Sequence, residues 1–212
     1  MNEVSSPMPA TRSSFMPLWI LIALFAVPML AAWWLFFNPE YLPEGRKNHG
    51  ELIEPVIPLD ARFGLMDLQG EVFDPQSLEG RWVLVTLTEG ACDAACTEQL
   101  IAMRQIRLAV GEERYVVDRL WITTDAAGAP ELAEQLPGMH VALIGEPGLE
   151  ALHEALPAAE RDFSRMHILD PMGQLMMRYD ADAPPEHVLR DLEHLLRATR
   201  RWMIRGAADG NR

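Results

Sequence analysis

Trp82-Val-Leu-Val-Thr-Leu-Thr88, then Glu89-Gly-Ala-Cys92-Asp-Ala-Ala-Cys96-Thr-Glu98, is the stretch that decides the fold. Its first seven residues carry no charge and are rich in Val, Leu and Thr. That composition suits a strand buried on both faces of a sheet. Beyond Gly90 the period changes. Leu100, Met103, Ile106 and Leu108-Ala-Val110 recur near helical spacing over 96–109. A buried strand therefore hands over to a helix at Cys92 and Cys96, the only two cysteines in the chain. Backbone N–H groups at a helix start have no intrahelical partner, and the helix dipole favours negative charge there. A thiolate at that place is stabilised. Asp93 suits the N-cap, while its own charge opposes the thiolate. The four-residue separation puts the two α-carbons about 6 Å apart, within disulfide range. The same placement offers two soft sulfur ligands to an ion such as Cu(I). Dithiol–disulfide exchange and metal capture both stand open, beside an inert local disulfide.

Outward from this stretch, strands alternate with helices. Residues 63–73 read as a short hairpin and 116–124 as a strand. Helix, strand and helix follow over 129–135, 140–144 and 147–156. Strands over 166–169 and 175–179 flank Asp170-Pro-Met-Gly173, a strong turn signal. A closing helix runs from Pro185 to about residue 202, with Val188, Leu192, Leu195 and Leu196 as its apolar stripe. This order predicts an α/β fold: a thioredoxin-like sandwich, with a central mixed sheet flanked by helices.

Residues 15–37 contain no charge and are long enough to cross a hydrocarbon core of about 30 Å. Trp33 and Trp34 fit an interfacial belt, and Pro28 should kink the helix. A cleaved signal peptide has a shorter apolar run and a small-residue cleavage site. This run ends in Trp-Trp-Leu-Phe-Phe-Asn-Pro instead, so an uncleaved single anchor is expected. The chain then divides into a short tail (1–14), a transmembrane helix (15–37), a tether (38–60), a thioredoxin-like domain (61–203) and a disordered tail (204–212). Arg12 on one side and Arg46 with Lys47 on the other leave the positive-inside rule undecided. The short tail and the cysteine pair favour a domain outside the cytoplasm.

The formal net charge of −13 opposes binding to phosphate backbones, and no basic stripe with interleaved aromatics occurs, so nucleic acid is excluded as a partner. Arg197, Arg200, Arg201 and Arg205 read as a solvated helix end. No Gly-rich phosphate loop or four-ligand zinc spacing is present. Oligomeric state is not encoded in any feature of the sequence.

Five blocks carry a resemblance. They are Phe63-Gly-Leu-Met-Asp-Leu-Gln-Gly70, Leu78-Glu-Gly-Arg-Trp-Val-Leu-Val85, Cys92-x-x-x-Cys96, Trp121-Ile-Thr-Thr-Asp125 and Ile168-Leu-Asp-Pro-Met-Gly173. In order and spacing they resemble the Sco/SenC family of membrane-anchored, thioredoxin-fold proteins that assist cytochrome c oxidase assembly. The resemblance implies a single-pass inner-membrane protein with its domain in the periplasm. It also implies a role in building a copper centre, with the thiols of an oxidase subunit or a metallochaperone as partners. Two positions depart from the family pattern. Thr97 stands where Pro usually follows the second cysteine, and Asp162 stands where the family has its copper-ligand histidine. A carboxylate oxygen is a hard ligand, ill matched to Cu(I). Only Cys92 and Cys96 map onto the family site, with His167 a candidate third ligand if its strand faces the cysteines.

Thiol–disulfide exchange is the favoured reading. Cys92, nearer the loop, would attack, and Cys96 would resolve the mixed disulfide. A Cu(I) metallochaperone and a non-catalytic assembly scaffold are the alternatives. His49 lies in the expected tether, and His140, His153, His187 and His194 read as exposed. Met139, Met166, Met172, Met176 and Met177 read as core filler, with Met176 and Met177 on opposite faces of their strand.

Overall fold

The computed structural model describes residues 16–38, 41, 48–156 and 165–209, with residues 200–209 described by backbone alone. The chain splits into two compact units, Met1–Arg46 and Lys47–Arg212.

In the first unit, α1 spans Met16–Phe37, with Pro28 inside and no buried residue. Among the described residues it is the one helix long and apolar enough to cross a membrane. At 1.5 Å per residue it reaches about 33 Å, the thickness of a hydrocarbon core.

Among its described residues the second unit is built on six strands: β1 (Glu51–Pro58), β2 (Trp82–Thr88), β3 (Val117–Thr123), β4 (His140–Leu143), β5 (Met166–Leu169) and β6 (Gln174–Tyr179). Their order across the sheet is β1-β6-β5-β2-β3-β4. The central β2 runs parallel to β3 and antiparallel to β5, and β3 runs parallel to β4. Among the described residues four α-helices complete the unit: α2 (Ala94–Ala109), α3 (Ala129–Gln135), α4 (Glu146–Ala155) and α5 (Pro185–Asp209).

Alternation along β2 divides the core. Val83, Val85 and Leu87 face one cluster with Leu120, Ile122 and Leu152 of α4. Trp82 and Leu84 face the other, with Leu100 and Met103 of α2 and Val188 and Leu192 of α5. Both faces of β2 are buried, which is why its sequence is apolar without alternation. This is the thioredoxin-like α/β sandwich expected from the sequence.

Several expectations need correction. Residues 38–60 are not a tether throughout, because β1 pairs with β6 at the sheet edge and buries Ile53 and Ile57. Pro55 and Pro58 disguise it as a linker, yet an edge strand tolerates residues that cannot donate to a ladder. The register between β1 and β6 shifts between Leu52 and Ile57, which removes the two-residue period that would have revealed it.

Asp191 of α5 ties this edge down. Its carboxylate accepts from the backbone N–H of His49 (2.8 Å) and of Gly50 (2.9 Å) and from the Tyr179 hydroxyl (3.0 Å). Burial, then the Asp191 charge, pushes the Tyr179 phenol far above its ordinary pKa. Gly50 is required sterically, since a Cβ there would lie 2.7 Å from the Tyr179 ring.

The short hairpin over 63–73 is present: Met66 bridges Val72 between the bonds from Phe73 N–H to the Leu65 carbonyl (2.9 Å) and from Asp67 N–H to the Glu71 carbonyl (2.8 Å), and Met66 also bridges Leu143 of β4. The backbone of α5 continues to Asp209, past the expected end near 202 and into the span read as a disordered tail. Ala207 and Ala208 there are strong helix formers, and Gly206 alone does not stop the helix. Met172 is not core, being exposed in the turn between β5 and β6, whereas Met176 and Met177 both pack against the second cluster. An irregularity between Ile168 and Leu169 of the β5–β6 ladder inserts a residue and breaks the alternation that would have separated them.

Candidate functional site

The cysteines sit where β2 ends, beside the parallel β3. Thr88 anchors the corner: its hydroxyl oxygen accepts from Trp121 Nε1 at 2.9 Å and lies 3.2 Å from the Thr123 hydroxyl. Gly90 turns the chain at φ +76°, a conformation that favours glycine, and its N–H donates to the Thr124 hydroxyl oxygen at 2.7 Å. The loop then delivers Cys92 to the start of α2. Asp93 is the N-cap, its carboxylate accepting from the Cys96 N–H at 2.9 Å.

Cys92 and Cys96 are joined by a disulfide, with their α-carbons 5.3 Å apart. Cys96 lies in the second core cluster and is only 8% exposed, while Cys92 is half-buried. Solvent and partner therefore reach Cys92 more readily than Cys96. One turn further on, the buried Thr86 hydroxyl donates to Gln99 Oε1 at 2.7 Å and pins α2 to β2.

Thr97, at the departure from the family pattern, has a structural consequence. Its N–H donates to the Asp93 carbonyl at 3.0 Å, a bond proline would lack. Its hydroxyl donates to the same carbonyl at 2.9 Å and lies 3.8 Å from Cys92 Sγ.

The remaining candidates do not join the pair. His167 is buried on β5 opposite Val85, so it shares Val85's face of the sheet, while Met166 and Ile168 share the face of Cys96. The sheet therefore stands between the His167 side chain and the sulfurs, and the third-ligand expectation for His167 is corrected. His49 is held by Asp191, with Nδ1 3.1 Å from the carboxylate, and stacks on His187 at 4.2 Å between ring centroids. His140 lies 3.5 Å from Asp118, near the opposite end of β3 from the site. There the hydrogen bond with His140 and the Arg81 guanidinium hold the buried Asp118 carboxyl below the usual carboxylate range, against the opposing effect of burial. His153 is nearer the site than a polar helix face suggested: Nε2 lies 3.3 Å from Glu89 Oε1 in the loop before Cys92. Asp162 falls outside the described residues, as do the side chains of Arg200, Arg201 and Arg205.

Among the described residues no group of three His, Cys, Asp or Glu side chains is arranged to hold a metal ion. The sulfurs, once reduced, supply two soft ligands, and no described His, Asp or Glu is arranged to supply a third. The described residues therefore do not fit a three-ligand copper centre.

Fold and site together define a thioredoxin-like domain carrying a two-cysteine centre at a strand-to-helix junction. Residues 82–199 match the family model described as "transmembrane-like, thioredoxin-like, C-terminal domain". That match covers more than half of the chain, and the protein belongs to this family. The solved structures it is similar to include yeast Sco1 with copper bound, at 16% identity and TM-score 0.55, covering 68% of this chain and 94% of that one. Arabidopsis thaliana ScoI with copper bound gives 14% identity and TM-score 0.54, over 71% and 99%. The thioredoxin domain of a thiol-disulfide oxidoreductase from Bacteroides vulgatus gives 15% identity and TM-score 0.50, over 68% and 94%. At these identities the likeness establishes the shared fold, and the resemblance to Sco/SenC proteins holds at that level. No curated protein matches the chain by sequence.

Proposed function

We propose that this protein is a membrane-anchored thiol–disulfide exchange protein that works through Cys92 and Cys96 in assembly of the cytochrome c oxidase copper centre. α1 is its single anchor in a bacterial-type inner membrane, and the domain faces the periplasm. The observation that carries the chemistry is a disulfide at a helix start with one accessible and one buried sulfur.

In the reduced protein, the helix start favours a thiolate at Cys92. That thiolate attacks a partner disulfide, forming a Cys92–partner bond and releasing the partner's second thiolate. Cys96, after losing its proton, attacks Cys92 Sγ, breaks the mixed disulfide and closes the Cys92–Cys96 bond. Two electrons pass to the partner, and an upstream dithiol must restore the reduced pair. The substrate would be an oxidised cysteine pair on a copper-receiving oxidase subunit or on a metallochaperone, which must be reduced before it takes Cu(I).

The test is a glutathione redox titration of the full chain in neutral detergent, with a Cu(I) titration of the reduced sample beside it. Exchange with a measurable midpoint, abolished in Cys92→Ser, is expected. Failure to exchange across the titration rules the reading out. Retention of Cu(I) against a competitor, lost in Cys92→Ala and Cys96→Ala, would put the metallochaperone reading in its place, the reading favoured by the copper-bound state of two fold relatives.

A further inference from the structure

Two adjoining depressions of about 300 and 290 Å³ run away from the disulfide. The first opens beside Cys96 and Asp93, and the second continues between α2 and the loop joining β6 to α5. They share Ala95, Gln99 and Ala181, so they form one groove that reaches Cys96, which is bonded to Cys92. Alanines at 91, 95, 102, 181 and 183 contribute to its lining and leave room for another chain's backbone.

The charge of this groove is one-sided. Glu89 and Asp93 line the first part, and Glu98, Asp180 and Asp182 line the second, while among the described residues no Lys or Arg lines either. Two of these carboxylates have a basic side chain beside them: Asp180 has Arg165 at 3.1 Å, and Glu89 has His153 at 3.3 Å. Glu98 on α2 and Asp182 on the β6–α5 loop are both exposed and line opposite walls. A chain of net charge −13 adds a long-range field of the same sign.

Resting on the thiol-exchange reading above, we infer that the groove receives an extended, basic segment of the partner polypeptide beside its oxidised cysteine. The small lining residues admit the segment's backbone. The two acidic walls attract its Lys and Arg side chains and disfavour an acidic segment, so charge selects the partner while the sulfurs carry out the exchange. A membrane surface rich in anionic lipid is repelled by the same walls and is not the occupant.

The test uses the reduced full chain in neutral detergent and two disulfide-bonded peptides of one length, one with Lys and Arg and one with Glu flanking the cysteine. Exchange rates are read at about 20 mM and about 500 mM salt, with oxidised glutathione as a reference. The basic peptide should exchange about tenfold faster than the acidic one at low salt, and the ratio should collapse at high salt. In the double variant Glu98→Gln, Asp182→Asn the low-salt ratio should fall towards one. Equal rates for the two peptides while glutathione exchanges normally would overturn this inference and leave the thiol chemistry intact. A ratio unchanged in the double variant would also overturn it. No exchange with any of the three would remove both readings.

Discussion

Reducing the Cys92–Cys96 bond should weaken the folded domain by about 2 kcal/mol. The bond closes a loop with a sequence separation of 4. In the chain-entropy account such a loop removes about 6 cal/mol/K from the unfolded ensemble, or about 2 kcal/mol at 25 °C. In the disulfide form Asp93 caps the Cys96 N–H and Thr97 binds the Asp93 carbonyl, contacts that do not themselves involve the S–S bond. By a thermodynamic cycle, the folded pair is then about 40 mV harder to reduce than the same pair in the unfolded chain. The folded domain thus favours the disulfide relative to the unfolded chain, the direction expected of the electron donor proposed above. Hydrogen exchange of β2 and β3 amides, measured on the full chain with and without dithiothreitol, reads the change directly. Globally exchanging amides should speed up about thirtyfold on reduction. Unchanged or slower exchange in the reduced form would refute the donor assignment and indicate a pair poised to oxidise its partners.

Cys96→Ser should trap mixed disulfides with partner or glutathione, seen on non-reducing gels, whereas Cys92→Ser should trap none, because the buried Cys96 meets partners poorly. Asp118 gives a pH signature. Its folded pKa is depressed, so its stabilisation is complete above the ordinary carboxylate value of about 4 and is lost as pH falls through the folded value. An acid titration followed by circular dichroism should show wild type losing stability in that window, and Asp118→Asn should be flatter there. Asp191→Ala leaves the His49 and Gly50 N–H groups and the Tyr179 hydroxyl without their acceptor, at a cost of about 3 kcal/mol. Hydrogen exchange should then rise at Ile53 and Ile57 of β1 before it rises in β2.

The central elements were legible in the sequence because each carries its own signal. β2 reads as buried since neither face alternates, α2 since Leu100, Met103 and Ile106 recur at helical spacing, and the β5–β6 turn since Asp170 and Gly173 supply its chemistry. Asp170 does accept from the N–H groups of Met172 and Gln174, both at 2.9 Å, and Gly173 has φ +76°. β1 was illegible for a physical reason. Its place is fixed by Asp191, more than a hundred residues away in sequence, and by a ladder with a lapse in register. A local reading detects periodicity, and β1 has prolines where the period would be.

The site divides along the same line. Cys92, Asp93 and Cys96 are placed by one local event, a strand ending and a helix beginning, and spacing alone brings them together. Thr88, Trp121 and Gln99 brace that corner through contacts across elements, and only the polarity of Thr86 and Thr88 inside an otherwise apolar strand hinted at them. His167 required a fact no local pattern holds: which face of β5 packs on α2. Pairing Val85 with His167 answers it, because one residue of register either way would have turned the imidazole towards the sulfurs and Ile168 away from them. Ile168 is fully buried in the cluster that also contains Cys96. The packing that builds this half of the core is thus the same packing that keeps the imidazole off the cysteine side of the sheet, and a change that rotated His167 towards the cysteines would bury it where Ile168 now fills the core.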